Sequence, residues 1–260
     1  MLTGVVPMAM QLVGLVKSFG AKRAVDGLDL NVPVGSLYGL VGENGAGKTT
    51  TLSMATGLLR PDAGTVEVLG HDVWANPAAA KSLMGVLPER ARMFDRLSGG
   101  ELLRYAGRLR QVPRRDIGLR SAELLEKLGL SAGADTLVGG YSAGEAKKIG
   151  LACALIHAPR LLVLDEPLEG VDPNSRARIS AILRDYTCAG GTVVLSSHVM
   201  EYIETMCDQL AVVVQGQVKT AGTLEEVRAG STLQQRFSEL TGFHVDDGQG
   251  GLSWLRSSSS

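Results

Sequence analysis

The stretch LYGLVGENGAGKT, residues 37–49, decides the fold of this chain. Residues 37–41 are a continuous apolar run, which is typical of a strand buried on both faces of a parallel sheet. The segment that follows, residues 42–49, matches the pattern G-x-x-x-x-G-K-[ST], which joins such a strand to a helix and wraps the backbone around phosphate oxygens. The sequence therefore predicts an α/β fold with a phosphate-binding loop after an early strand.

Lys48 and Thr49 carry the predicted chemistry of this loop. A lysine in that place reaches the β- and γ-phosphates of a nucleoside triphosphate, and a threonine supplies an oxygen to Mg²⁺. The alternative is a glycine-rich turn that binds nothing, which the presence of both side chains disfavours. The residues predicted to contact the nucleotide here are Gly42, Glu43, Asn44, Gly45, Ala46, Gly47, Lys48, Thr49 and Thr50.

A second motif, LLVLDE at residues 161–166, is an apolar run that ends in two acids. Ligands bind at the carboxyl ends of strands in open α/β sheets. Asp165 is suited to hold Mg²⁺ through a water, and Glu166 to orient or deprotonate the attacking water. The alternative is a pair of solvated acids in a loop. With the phosphate loop upstream, the two motifs predict a nucleoside triphosphatase that uses Mg²⁺.

Periodicity along the rest of the chain predicts the organisation of the fold. Apolar runs at 192–195 and 210–214 are typical of strands, and the second leads into a hairpin turn. Helical patterns begin after Lys48, where we expect an end at Arg60-Pro61, and after Asp172-Pro173, where the aspartate can be the N-cap.

The domain boundaries follow from where strands are lacking. Between about 89 and 150 the patterns are helical, which indicates a helical subdomain inserted in the α/β core. From 231 to 260 the periodicity fades, and we expect a loose C-terminal tail. Residues 1–230 are therefore predicted to form the main domain.

Composition excludes several classes of protein. The 260 residues include 33 glycines, roughly twice the usual share, but too few Gly and Pro together for a low-complexity chain. The net charge of −1 gives no sign of a nucleic-acid-binding surface. No apolar run is long enough to span a membrane, and no signal peptide is indicated. The three cysteines form no C-x-x-C pair, so we expect ordinary thiols in a reducing, intracellular compartment.

Three further segments carry a resemblance to a known family. Residues 141–145, YSAGE, precede the acid pair, residues 169–172, EGVD, follow it, and His198 comes just after the 192–195 run. The order of all these motifs resembles the ATPase subunits of ABC transporters over about residues 12–228. In that family the first segment is the signature, of the form L-S-G-G-Q, the second is the D-loop, and the histidine is a switch residue.

The resemblance implies a P-loop NTPase core with a largely parallel sheet, an N-terminal antiparallel β portion and an inserted helical subdomain. It also implies a head-to-tail dimer in which ATP lies between the phosphate loop of one subunit and the signature of the other. Ser142, Gly144 and Glu145 would then contact a partner's nucleotide, and Asp172 would communicate between subunits. The last of these residues also has a structural alternative as a helix cap.

Phe19 and His198 complete the residues that the resemblance assigns. Phe19 matches the aromatic residue that stacks on adenine, with a place in the core as its alternative. His198 would join Lys48 and Glu166 as a catalytic residue, with a surface or helix-start histidine as its alternative.

A competing segment, LSGGE at residues 97–101, looks closer to the family signature than residues 141–145 do. Both segments read S-x-x-E, which is also a helix capping box. Ser98 comes too soon after Lys48 for a helical insert to be complete. We therefore predict that the 97–101 segment caps a helix and that Ser142 belongs to the nucleotide site.

Two positions depart from the family pattern. Glu89 stands where the family usually has a glutamine near Mg²⁺ and the attacking water, and we count it among the metal-site candidates with Thr49 and Asp165. A carboxylate there adds negative charge beside the γ-phosphate unless it is protonated or paired. Ala143 replaces the first signature glycine. Both changes are compatible with slow turnover.

The leading hypothesis is the ATP-binding subunit of an ABC transporter, most like exporters of drugs or antimicrobial peptides. It would act as a homodimer or heterodimer, without nucleic acid, on a separate integral-membrane permease. It would lie in the cytoplasm, peripheral on the inner face of the cell membrane. Residues 90–94 are the predicted region of partner contact, with an ordinary surface loop as the alternative. Rival hypotheses are a soluble ABC ATPase outside transport and a weakly hydrolysing, nucleotide-dependent regulator.

Overall fold

The structure, a computed structural model, describes residues 7–241, and two β-sheets form the frame of this part of the chain. The strands are β1 (Met8–Phe19), β2 (Lys22–Pro33), β3 (Leu37–Val41), β4 (Ala63–Val68), β5 (His71–Asp72), β6 (Met84–Leu87), β7 (Leu161–Leu164), β8 (Thr192–Ser197), β9 (Gln209–Val214) and β10 (Gln217–Thr223).

The larger sheet has the strand order β10-β9-β3-β8-β7-β6. All neighbours from β9 to β6 pair in parallel, and β10 is antiparallel to β9. The smaller sheet has the order β2-β1-β4-β5 and is antiparallel throughout. Since parallel strands end at the same edge, the residues after β3, β7 and β8 come together there.

Helices pack on both faces of the larger sheet, the first of them on the same face as the antiparallel sheet, and helices also form the insert. They are α1 (Lys48–Ala55), α2 (Pro77–Ser82), α3 (Gly99–Leu109), α4 (Arg114–Lys127), α5 (Ala143–Leu155), α6 (Pro173–Cys188), α7 (Met200–Met206), α8 (Leu224–Arg228) and α9 (Leu233–Thr241). Between residues 89 and 150 the structure has helices, two 3₁₀ turns and an isolated bridge. The predicted α/β fold with an N-terminal antiparallel portion and a helical insert is confirmed.

The central strands are buried on both faces, which explains their unbroken apolar runs. In β3, Tyr38 and Leu40 pack with the antiparallel sheet and α1, whereas Leu37 and Val41 pack with the helices on the other face. Alternate side chains of β3 therefore fill two hydrophobic layers, one on each face of the sheet. This alternation fixes the register of β3, and with it the place where the phosphate loop begins.

Two predicted boundaries are wrong. The helix after Lys48 ends at Ala55 rather than near Arg60, because Gly57 adopts a left-handed conformation (φ 71°) that stops it. The chain after 231 does not begin as a loose tail. Instead α9 packs on the core through Leu233 and Phe237, which are buried. The rest of the predicted tail, residues 242–260, lies outside the described residues.

Candidate functional site

The phosphate loop lies between β3 and α1, and close packing leaves no space for side chains at two of its glycines. A Cβ on Gly42 would lie 2.4 Å from the carbonyl oxygen of Val213. Gly47 has φ 107°, and a Cβ there would lie 2.5 Å from the oxygen of Ala24. These glycines hold the loop against β9 and β2, so that its backbone can curve closely around a phosphate group.

Lys48 is buried, with 5% of its surface exposed. Its Nζ donates hydrogen bonds to the carbonyl oxygens of Gly42 (2.7 Å) and Glu43 (3.1 Å), and lies 3.7 Å from Oε1 of Glu166. Burial lowers the pKa of Lys48, and the carboxylates of Glu166 and Asp165 oppose this shift. The ammonium group is therefore both paired and held inside the loop, as a buried charge requires.

Asp165 and Glu166 follow β7, and Ser196 at the end of β8 holds both. The Ser196 hydroxyl donates to Oδ1 of Asp165 at 2.5 Å and accepts from the Glu166 N–H at 2.9 Å. This serine belongs to none of the sequence motifs. Its only signal is its place at the end of a neighbouring parallel strand, two residues before His198.

Glu166 has a left-handed backbone conformation (φ 47°), which is unfavourable for a residue with a side chain by roughly 1–3 kcal/mol. Its carboxylate is buried between Lys48 and His198. The Nδ1 atom of His198 lies 3.1 Å from Oε2 of Glu166, but the two are not aligned as a hydrogen bond. The arrangement places one carboxylate, flanked by an ammonium group and an imidazole ring, at the wall of the cleft.

The candidate metal ligands lie together. Thr49 Oγ1 donates to Oε2 of Glu89 at 3.4 Å, and Thr49, Glu89 and Asp165 line one concavity. A hydroxyl and two carboxylates are hard oxygen donors, which suit Mg²⁺ better than a softer metal. The donor set therefore fits the ion that the sequence predicted.

An open cleft of about 540 Å³ runs beside the loop, which is a suitable size for a nucleotide. Phe19 lies at one end of the cleft, half exposed, with the Lys17 ammonium 5.9 Å from its ring centre. The lining residues are Phe19, Lys22, Ala24, Asn44, Gly45, Gly47, Lys48, Thr49, Thr50, Glu89, Arg90, Glu166, Glu169 and His198.

Three of the predicted loop contacts lie outside the cleft. Glu43 and Ala46 line a neighbouring concavity beside Phe237 of α9, which Asn44 and Gly45 also reach. Gly42 lies beneath the loop, where its carbonyl oxygen accepts from Lys48. These positions shape the loop from behind.

Ser142, Gly144 and Glu145 form a second surface at the start of α5. This concavity is lined by Ser142, Ala143, Gly144, Glu145, Lys148, Gly170 and Asp172. The Ser142 side chain accepts from the Glu145 N–H (3.2 Å), and its N–H and hydroxyl both donate to Oε2 of Glu145 (2.8 Å). These hydrogen bonds lower the pKa of the Glu145 carboxyl. Asp172 caps α6 by accepting from the N–H of Ser175 at 3.0 Å.

The 97–101 segment differs from residues 141–145 in exposure. Both form complete capping boxes, at the starts of α3 and α5. Gly99 and Gly100 are buried, and a Cβ on Gly99 would lie 2.2 Å from the hydroxyl oxygen of Tyr141. Ser142 and Ala143 are exposed. A second molecule could therefore reach the start of α5 but not the start of α3.

Within one chain, the cleft beside the loop and the concavity around Ser142 are separate surfaces. The loop of residues 169–172 joins them, because Glu169 lines the first and Gly170 and Asp172 line the second. No helix within residues 7–241 combines the length and the apolar character that a membrane span requires.

Comparisons with known proteins place these motifs in a family. The family described as ABC transporter matches residues 25–169 of the chain. The daunorubicin/doxorubicin resistance ATP-binding protein DrrA of Streptomyces peucetius is 40% identical over 221 residues, which cover 85% of this chain and 67% of that protein. The linearmycin resistance ATP-binding protein LnrL of Bacillus subtilis (strain 168) is 35% identical over 214 residues, which cover 82% and 69%.

A solved structure of the ATP-binding subunit of an ABC transporter superposes with a TM-score of 0.84 at 26% identity. The superposition covers 89% of this chain and 99% of that chain. Proteins of this family bind ATP together with Mg²⁺. In this chain the cleft beside the phosphate loop fits the nucleotide, and the oxygen donors beside the loop fit the metal ion. The chain therefore belongs to the ABC transporter family, in which it is an ATP-binding and ATP-hydrolysing subunit.

Proposed function

We propose that two ATPase subunits pair head to tail, so that each nucleotide lies between the phosphate loop of one subunit and Ser142 of the other. The observation that carries this proposal is the separation of the two surfaces within one chain. Ser142 lies at the N-terminus of α5, where N–H groups favour a phosphate. A partner subunit would bring that terminus to the cleft.

The residues around the cleft divide the chemistry of hydrolysis. The loop N–H groups and the Lys48 ammonium would bind the β- and γ-phosphates, and Phe19 would stack on the base. Glu166 would accept a proton from the attacking water, and His198 would hold that carboxylate in place and contact the γ-phosphate. Thr49 and Asp165 would hold Mg²⁺, which neutralises phosphate charge when it is bound, and Glu89 beside Thr49 would be an outer oxygen acceptor of the same site.

A group of exposed apolar side chains supports a membrane partner near Glu89. Phe94 and Tyr105 form an edge-to-face pair, with ring centres 5.2 Å apart, and Leu109, one turn after Tyr105 on α3, is exposed as well. Leu58 is exposed and lines the concavity that contains Glu89. Isolated exposed apolar residues are common, but a cluster beside a cleft indicates an interaction site. We assign it to a separate integral-membrane subunit, which would hold the ATPase on the inner face of the cell membrane.

The relatives support an export role. Two of them carry names that refer to resistance to antibiotics, daunorubicin or doxorubicin in one and linearmycin in the other. By analogy, this chain would drive the export of a drug or an antimicrobial compound. Glu89 beside Thr49 favours one alternative, a nucleotide-dependent regulator that hydrolyses ATP slowly.

Steady-state hydrolysis of Mg·ATP by the Glu166→Gln variant tests the proposed mechanism. Glutamine keeps the size of the side chain but cannot accept a proton as a base, so we expect kcat to fall by about a hundredfold or more. Glu123→Gln, on the exposed face of α4, is the control and should leave kcat unchanged. Unchanged turnover in Glu166→Gln would remove Glu166 from the role of general base.

A further inference from the structure

Lys147 connects the two surfaces from behind and belongs to none of the sequence motifs. Its Nζ donates to the backbone carbonyl oxygen of Glu166 at 2.8 Å and approaches that of Glu89 at 3.3 Å. One ammonium group therefore holds the backbone of the candidate general base and the backbone of the residue beside Thr49.

The helix that carries Lys147 also carries Ser142. Helix α5 begins directly after Ser142, and Lys147 is five residues further, about 7.5 Å along the helix axis. Backbone hydrogen bonds of α5, beginning with Ala146 N–H to the carbonyl oxygen of Ser142, hold Ser142 and Lys147 in a fixed relation. A displacement of its N-terminus toward a partner's phosphate is therefore transmitted to the carbonyl oxygens that Lys147 holds.

The contact to Glu166 bears on a residue whose conformation depends on its surroundings. Glu166 has φ 47°, and Ser196 holds its N–H while Lys147 holds its carbonyl oxygen. With both ends of the residue held, the carboxylate is aimed between Lys48 and His198. Release of the carbonyl would allow the backbone to relax and turn the carboxylate away.

Lys147 does not act by touching the nucleotide. It lines neither the cleft beside the phosphate loop nor the concavity around Ser142 in the part of the chain that the structure describes. Its neighbour Lys148 does line that concavity. The acceptors of Lys147 are neutral carbonyl groups, so its contribution is geometric and directional rather than the neutralisation of a buried charge.

We propose that Lys147 is a positioning residue, which couples contact of Ser142 with a partner's nucleotide to the orientation of Glu166 in its own subunit. This proposal rests on the proposed function of Glu166 as the general base. It predicts that loss of the ammonium group slows hydrolysis without weakening the binding of ATP.

The first test compares Lys147→Met with Lys147→Arg in the purified full chain, by Mg·ATP hydrolysis and by binding of a fluorescent ATP analogue. Methionine keeps the length of the chain and removes every donor, so kcat should fall about tenfold or more, while KM and analogue affinity stay within about threefold. Arginine retains donors and should keep kcat within about threefold. Lys127→Met, on the exposed face of α4, is the control and should match the unaltered chain.

The second test places Lys147→Met in the Glu166→Gln variant and measures single-turnover hydrolysis. If Lys147 acts through Glu166, the double variant is no slower than Glu166→Gln, within about twofold. A further loss of about tenfold would overturn the proposal, because Lys147 would then act on something else. Should Lys147→Met lack a native circular dichroism spectrum, Lys147→Leu, which also removes every donor and favours a helix, replaces it at the same threshold.

The outcomes separate the two proposals. Unchanged kcat in Lys147→Met, or equal losses of kcat and nucleotide affinity, would overturn the positioning role. If kcat of Glu166→Gln falls as expected, that result leaves the proposed function intact. Full activity in Glu166→Gln would instead overturn the proposed function on which it rests.

Discussion

At the scale of single residues, the candidate site consists of charged groups that are held by neighbours rather than exposed freely. Ser196 holds Asp165 and Glu166, and the phosphate-loop carbonyls hold Lys48. Buried charges with such fixed partners lose little freedom when a substrate binds, which favours preorganised electrostatic catalysis. Small changes of charge here should therefore alter kinetics more than stability.

Glu89 is the residue at which this reasoning gives a prediction. Glu89→Gln removes one negative charge beside Thr49, close to where the γ-phosphate would lie, and keeps an oxygen acceptor. Relief of repulsion worth about 1 kcal/mol after solvent screening should raise kcat/KM for Mg·ATP about fivefold. Steady-state kinetics at several ATP concentrations, with Glu123→Gln as the control, would check this. An unchanged or lower kcat/KM would mean that Glu89 binds the metal productively as a carboxylate.

The sequence predicted residues whose chemistry recurs at fixed spacing. Lys48, Thr49, Asp165 and Glu166 lie in two short motifs, and the structure brings them to one edge of the sheet. No role for Ser196 or Lys147 could be predicted from the sequence, because neither residue belongs to such a pattern. Their contacts arise only when a neighbouring strand and the start of α5 reach the site in three dimensions.

At the scale of elements, two nearly identical capping boxes start α3 and α5 and differ only in what surrounds them. Ser98 is buried within the helical insert, whereas Ser142 is exposed. The local sequence establishes the helix start in both cases. Burial, which the local sequence does not encode, separates a structural cap from a surface that can also meet a ligand.

The matched pair Ser98→Ala and Ser142→Ala tests this distinction. Each should lower the free energy of unfolding by about 1 kcal/mol, because each removes an N-cap hydrogen bond. Only Ser142→Ala should also lower kcat/KM, by about tenfold, through loss of a hydrogen bond to a charged phosphate. Urea unfolding and steady-state hydrolysis measure the two effects. Equal kinetic losses in both variants would contradict the assignment of residues 141–145.

Element boundaries were harder to predict than elements. The buried strands were predicted because their apolar runs and the following polar residues are local signals. The end of α1 depends on the conformation of Gly57, and α9 depends on the packing of Leu233 and Phe237 against distant residues. The apolar periodicity of the sequence alone therefore predicts neither the end of α1 nor the packing of α9.

At the scale of the whole molecule, the fold keeps the phosphate loop and Ser142 on different surfaces of one chain. The parallel sheet brings Lys48, Glu166 and His198 to its carboxyl edge, while the helical insert carries Ser142 away from it. The sequence could not predict this separation from its motifs, because spacing along the chain does not give the position of an inserted subdomain. The resemblance to the family implied it.

Complementation between two inactive subunits tests the shared site most directly. Lys48→Ala removes the phosphate-binding ammonium group, and Ser142→Arg obstructs the second surface, so each variant alone should be inactive. A mixed dimer retains one intact composite site, formed by the phosphate loop of the Ser142→Arg subunit and Ser142 of the Lys48→Ala subunit. Random pairing in an equal mixture should therefore restore about a quarter of the Mg·ATP hydrolysis of the unaltered chain. A mixture as inactive as its two components would contradict the account.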